Sequence, residues 1–168
     1  LLTASKDKKN QRLYYLIQTI ASTGIRVSEL RYITTSAVHS GQAVINCKGK
    51  MRIVILPKEL CKMLKGYIRE NNIKNGSVFV RRNGNSLDRS HIWKMLKALC
   101  ETAGVSKNKV FPHNFRHLFA RTYYSLQKDI VRLADILGHS SVNTTRIYTI
   151  ETCEVHRKRI QRLGLLRC

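Results

Sequence analysis

His139 and Tyr148 lie nine residues apart in "LGHSSVNTTRIYT", separated by two serines, a pair of threonines and an arginine, with Gly138 just before the histidine. A loop followed by a helix end would account for that spacing. So would a phenol that attacks a phosphorus atom beside a histidine that assists it. Transfer at a phosphodiester builds negative charge on the nonbridging oxygens, so the site needs fixed cations, and the planar fork of arginine matches two phosphate oxygens. Two arginines stand at the right kind of place. Arg26 follows a helix stop in "STGIRVSEL", and Arg116 follows Pro112 in "HNFRH". Each opens a helix, where free backbone amides also favour an anion. His113 precedes Arg116 by three residues, so on a helix the two share a face, and a neutral imidazole there can exchange a proton while the guanidinium holds phosphate.

The composition points to the same substrate class. Of the 168 residues, 31 are Lys or Arg and 10 are Asp or Glu, a formal net charge of +21. A compact chain of that charge calls for a polyanion, and nucleic acid is the usual one. The basic residues are spread along the sequence, which argues against a membrane-surface helix. No apolar run approaches spanning length, and "LLTASKDKKN" has no signal-peptide core. The five cysteines, Cys47, Cys61, Cys100, Cys153 and Cys168, form an odd, widely spaced set without a CxxC pair, so neither a disulfide framework nor a zinc site is indicated. Buried reduced thiols are expected. The few acidic residues form no ligand cluster for a metal-dependent nuclease.

The elements that must position these residues are mostly helical. Leu13, Leu16, Ile17, Ile20 and Ala21 recur at helical spacing and predict a helix from about Lys9 to Ser22, stopped by "STG". "VSELRYI" predicts a second, short helix. "QAVINC" and "MRIVIL" around "KGK" read as a β-hairpin, and Pro57 ends the hairpin and opens a helix bearing Leu60, Leu64, Tyr67 and Ile68. "SVFV" is expected as a third strand. Helices follow on Ile92, Leu96, Leu99, Cys100 and Ala103, then on Phe115, Leu118, Phe119 and Thr122, then on Ile130, Leu133, Ala134 and Leu137, the last ending at Gly138. "ETCEVHRKRIQRLGLL" predicts a basic terminal helix. The fold expected is mainly α with a small antiparallel β-sheet, in one domain, without internal repeats.

With "TGIRVSEL", "KGKMR", "HNFRH" and "LGHSSVNTTRIYT" in this order and separation, the sequence resembles the catalytic domain of the tyrosine recombinases, the phage-integrase-like family. The resemblance runs from about Asn10 to Tyr148. It implies that Arg26 and Arg116 bind the scissile phosphate and that Tyr148 attacks it, leaving a 3′-phosphotyrosyl link and a free 5′-hydroxyl. It further implies that His113 acts as acid/base or hydrogen-bond partner, that His139 donates a hydrogen bond to the phosphate, and that a hairpin lysine protonates the leaving oxygen. The family hairpin reads Lys-Gly, a spacer, Lys, one residue, Arg, and "KGKMR" is one residue shorter. Lys48 aligns from the strand side and is the lysine chosen, with Lys50 the alternative. Glu29 falls where the family often has an acidic residue that supports the arginines, and His117 reads at least as readily as a structural hydrogen-bonding residue.

The covalent link preserves the phosphodiester energy, so no nucleotide cofactor is expected, and arginines and histidines replace a metal clamp. As partners the resemblance implies double-stranded DNA, a homotetramer on paired sites and accessory DNA-bending proteins. It implies a bacterial or phage-encoded cytoplasmic protein associated with the nucleoid. The chain starts without Met and reads as a fragment; the resemblance implies a DNA-clamping domain N-terminal to it, and residues 151–168 fit either a C-terminal helix exchanged between subunits or one packed on its own subunit. A type IB topoisomerase-like enzyme and a noncatalytic DNA-binding module are the alternative readings.

Overall fold

A computed structural model describes residue 5 and residues 11–47, 49–81, 84–85 and 87–148. Helix α1 (Gln11–Thr23) buries Leu13, Leu16, Ile17 and Ile20 on one stripe and ends at Gly24, as its spacing predicts. The stretch after it, Val27–Tyr32, is a 3-10 helix in place of the short helix expected. A further helix, α2 (Thr35–Ser40), had no apolar period to announce it. Its N-cap is Thr34, whose hydroxyl accepts from the Ala37 amide.

Strands β1 (Gln42–Cys47) and β2 (Lys50–Ile55) pair antiparallel with Cys47 opposite Lys50, and Gly49 lies in the turn between them. Ala43, Ile45 and Val54 face inward, while Val44, Ile53 and Ile55 face solvent. Pro57 caps α3 (Lys58–Glu70). The "SVFV" stretch forms no third strand: Ser77 makes an isolated bridge to Thr34, while Val78 and Phe79 are buried in the core. An apolar run that plugs a core needs no ladder partner, and the run alone does not separate the two cases.

Helix α4 (Arg89–Thr102) is capped by Asp88, α5 (Pro112–Gln127) starts on its proline, and α6 (Ile130–Leu137) is capped by Asp129. The buried stripe of α5 is Pro112, Arg116 and Ala120; of the face expected, Phe115 and Phe119 pack half-buried beside it against the two cores, whereas Leu118 and Thr122 fall outside it. Leu118 is 57% exposed and Thr122 is also exposed. The helix turns a guanidinium inward, so the apolar period was offset from the packed one.

The large core surrounds α1, which packs on α3, α4 and α5. A smaller cluster of Ala120, Leu133, Leu137 and Tyr148 joins α5, α6 and the turn after α6. Cys61 and Cys100 are buried, but Cys47 is exposed at the end of β1, contrary to expectation. Cys153, Cys168, the predicted terminal helix at 151–168 and the start of α1 at Lys9 lie outside the described residues. Among the described residues no helix is long and apolar enough to cross a membrane.

Candidate active site

The C-terminal end of α6 is where the separated motifs meet. Three successive carbonyls there each accept from a different arginine: Ile136 from Arg52 Nη1, Leu137 from Arg116 Nη2 at 2.8 Å, and Gly138 from Arg26 Nη2 at 3.2 Å. Orphan carbonyls and the negative end of the helix dipole make this a natural seat for cations. Arg116 Nη1 also donates to Gly24 O, which ties the end of α1 to the end of α6. Two glycines allow the approach. Gly24 (φ +66°) lies against Phe119, where an added Cβ would be 2.4 Å from the ring, and Gly138 (φ +65°) lies against Arg52, where a Cβ would be 2.5 Å from Nε. A side chain at either position would be both strained and blocked.

Glu29 organises the cations. Its buried carboxylate accepts from the Arg26 amide at 2.7 Å, from Arg26 Nη1 at 3.0 Å and from Arg52 Nη2 at 2.7 Å. The sequence reading gave it a supporting place beside the arginines, and the structure puts it between two of them. One carboxylate among three guanidiniums leaves the cluster strongly positive. Arg26 is the outward member, with 40% of its side chain exposed, whereas Arg116 is 1% exposed. Burial, followed by repulsion from Arg26, lowers the Arg116 pKa to about 10, which leaves it charged at neutral pH.

His139 sits just past the αL residue Gly138, and Ser141 caps the next turn by accepting from the Asn143 amide. His139 Nε2 is 3.0 Å from Arg116 Nη2, and Nδ1 is 2.8 Å from Thr145 Oγ1. Arginine only donates, so Nε2 accepts and Nδ1 carries the proton given to Thr145. Burial, then the charges of Arg116, Arg26 and Arg52, pushes the His139 pKa down to about 4. The ring is therefore neutral, and a hydrogen bond from it to a phosphate requires Nε2 to gain a proton.

Tyr148 ends the 3-10 turn Arg146–Tyr148 and is 8% exposed, packed with Ala120, Leu133 and Leu137. The His117 ring meets it edge-on, with centroids 5.2 Å apart, and His113 lies 4.5 Å beyond His117. His117 Nε2 is buried without a hydrogen-bond partner among the described residues. Desolvation, then His117 and the arginines Arg116, Arg26 and Arg89, lowers the His113 pKa. Tyr148 lies near enough to Arg116 to act on its charge. Tyr123 and Tyr124, the other tyrosines near it, pack half-buried against the small cluster from α5. Lys48 lies outside the described residues, and of Lys50 only the backbone, the first residue of β2, is described.

The structure thus brings Arg26, Arg116, His139 and Tyr148 to one end of the fold, with His113 linked through His117. A cleft of about 640 Å³ opens beside them, lined in part by Arg26, His113 and Arg116. Arg52 was the residue missed. It stands in "KGKMR", and its place opposite Ile45 of β1 gave no hint that it reaches α6. Among the described residues no group of three or more His, Cys, Asp or Glu side chains is placed to hold a metal ion.

The family model described as "Phage integrase family" matches residues 1–154. Tyrosine recombinase XerH of Campylobacter jejuni is 38% identical over 151 residues, covering 85% of this chain and 43% of that protein. Tyrosine recombinase XerA of Pyrococcus furiosus is 32% identical over 168 residues, covering 96% of this chain and 57% of that protein. A crystal structure of XerA recombinase superposes with a TM-score of 0.77 at 31% identity, over 99% of this chain and 61% of that one. XerH bound to its difH substrate in a pre-cleavage complex gives a TM-score of 0.75 at 28% identity, over 93% of this chain and 49% of that one. The chain spans about half the length of these two relatives.

Proposed function

The chain belongs to the phage integrase family, and from that premise we propose that it is the catalytic part of a site-specific recombinase that breaks and rejoins DNA strands through Tyr148. The observation that carries this reading is the convergence of Arg26, Arg116 and His139 on the end of α6, with Tyr148 packed against the same helix. Three preorganised cations around one carboxylate suit a dianionic transition state, where fixed donors stabilise charge as it develops.

In the proposed reaction the phosphate enters the cleft and takes hydrogen bonds from Arg26 and Arg116. Its negative charge favours the protonated form of His139, whose Nε2–H then turns from Arg116 to a phosphate oxygen. Tyr148 leaves its apolar seat, and its oxygen attacks phosphorus while His113, held neutral, takes the phenol proton. The P–Oη bond forms and the P–O5′ bond breaks. Lys48, or Lys50 in its place, gives a proton to the departing 5′-oxygen. Attack by another strand's 5′-hydroxyl on the phosphotyrosine reverses these steps, so no nucleotide or metal is consumed. The partner is duplex DNA, bound by a homotetramer on paired sites with accessory DNA-bending proteins, and the working protein carries an N-terminal clamping domain and an exchangeable helix at 151–168. Its setting is the nucleoid of a bacterium or of a phage-infected cell.

The covered Tyr148 ring favours one other reading, a DNA-binding module that does no chemistry. Nicked suicide duplexes drawn from the ends of the parent genetic element separate the two, with wild type and Tyr148→Phe run in EDTA on a denaturing gel. A shifted protein–DNA band in wild type alone supports recombination. Intact DNA binding with no band from any duplex of a broad pool supports the binding module.

A further inference from the structure

The cleft that holds Arg26 and Arg116 has a second wall whose chemistry a phosphate does not use. Trp93, Phe111 and Pro112 line it together with the arginines. Trp93 is 45% exposed and Phe111 38% exposed, although each is large enough to have been a core residue. On α4 the buried positions are Ile92, Leu96 and Leu99, whereas Arg89, Trp93 and Lys97 recur at intervals of four on one stripe. Lys97 Nζ lies 4.0 Å from the Phe111 ring centroid and 5.1 Å from that of Trp93, and it donates to Val110 O at 3.1 Å. The two rings are thereby anchored to each other and to the backbone.

A duplex presents phosphates and sugars to such a cleft, and neither matches two flat aromatic walls. A base released from its stack does, because every base has a π-face and stacking on aromatic side chains tolerates any sequence. The volume of about 640 Å³ lies within the range of small-molecule sites. The cations Arg26, Arg89 and Arg116 in the same cleft supply the charge for the attached backbone. We propose that Trp93 and Phe111 form a stacking site for an unpaired base of the nucleotide adjoining the phosphate that Arg26 and Arg116 hold. This rests on the phosphate reading of those arginines. It gives the cut strand a place for its terminal base once that base has left its pairing partner.

Trp93 is the single tryptophan of the chain, so its fluorescence reports this site directly. The probes are duplexes of one mixed sequence, either fully paired, or with one unpaired adenine beside a nick, or with an abasic residue in the adenine's place. The adenine duplex quenches Trp93 and binds about tenfold more tightly than the abasic one. Trp93→Ala removes that preference, and Trp93→Phe keeps most of it. Equal quenching and equal affinity for the adenine and abasic duplexes overturn the proposal, and this comparison on wild type stands even where a Trp93 variant fails to fold. Adducts at Tyr148 are scored on the same duplexes. Adducts without an adenine preference overturn the stacking site alone, whereas an adenine preference without adducts upholds it and removes the catalytic reading.

Discussion

Glu29→Gln isolates what the buried carboxylate does for the arginines. Oε2 takes both the Arg26 amide and Arg52 Nη2, and Oε1 takes Arg26 Nη1. A glutamine therefore keeps its carbonyl at the Oε2 position and turns its NH₂ toward Arg26, donor against donor. Removing one partner of a buried ion pair costs about 3–5 kcal/mol. Arg26, 40% exposed, can swing into water, which places the cost near the lower end, about 3 kcal/mol. For a chain of this size that lowers Tm by about 6–12 °C, read by circular dichroism. Added inorganic phosphate raises the Tm of the variant more than that of wild type, because it restores an anion to the cluster. Adduct formation falls further than the lost stability explains, since the outward arginine is the one set free. A variant that melts with wild type, or that gains no more than wild type from phosphate, refutes the organising role of Glu29.

Gly138→Ala forces a side chain into αL backbone at about 1–2 kcal/mol and drives its Cβ against Arg52. Adduct formation drops by about a hundredfold while circular dichroism stays native, and an active variant contradicts the close approach. His139 is protonated in the unfolded chain near pH 6.5 but only near pH 4 when folded, so between those values the unfolded state binds more protons and stability rises with pH. Tm measured from pH 7 down to pH 4 falls, and His139→Gln flattens the fall; a Tm that climbs on acidification reverses the sign and the argument. Binding to mixed-sequence duplex weakens steeply as salt is raised, in keeping with the net charge of +21, and a flat plot of log K against log salt contradicts the electrostatic contact.

That Arg26, Arg116 and His139 stand beside local signals, a glycine stop, a proline start and a serine cap, was legible in the sequence. The network that joins them was not. Arg52, Gly24 and Gly138 act through contacts between segments far apart in the chain, and no local pattern encodes which carbonyl an arginine will reach. The buried stripe of α5 was only partly placed, through Phe115 and Phe119, for a related reason. Apolar periodicity treats an arginine as solvent-facing, and Arg116 is turned inward because the carbonyls of Gly24 and Leu137 receive it. The β-hairpin was legible from its turn, whereas Val78 and Phe79 read as a strand although they serve as a plug in the core. Cys47 read as buried because cysteine usually is, but the hairpin ends in solvent there.

The central claim is that the Tyr148 oxygen becomes bonded to phosphorus. Wild-type protein, carrying the N-terminal clamping domain proposed above, is trapped on a nicked duplex, digested with nuclease and protease, and the peptides are sequenced by mass spectrometry. The account predicts a nucleotide joined through its 3′-phosphate to Tyr148, together with a released strand whose 5′-hydroxyl a polynucleotide kinase labels directly. A nucleotide on another residue such as Tyr123 or Tyr124, or a released strand that ends in a 5′-phosphate, contradicts it.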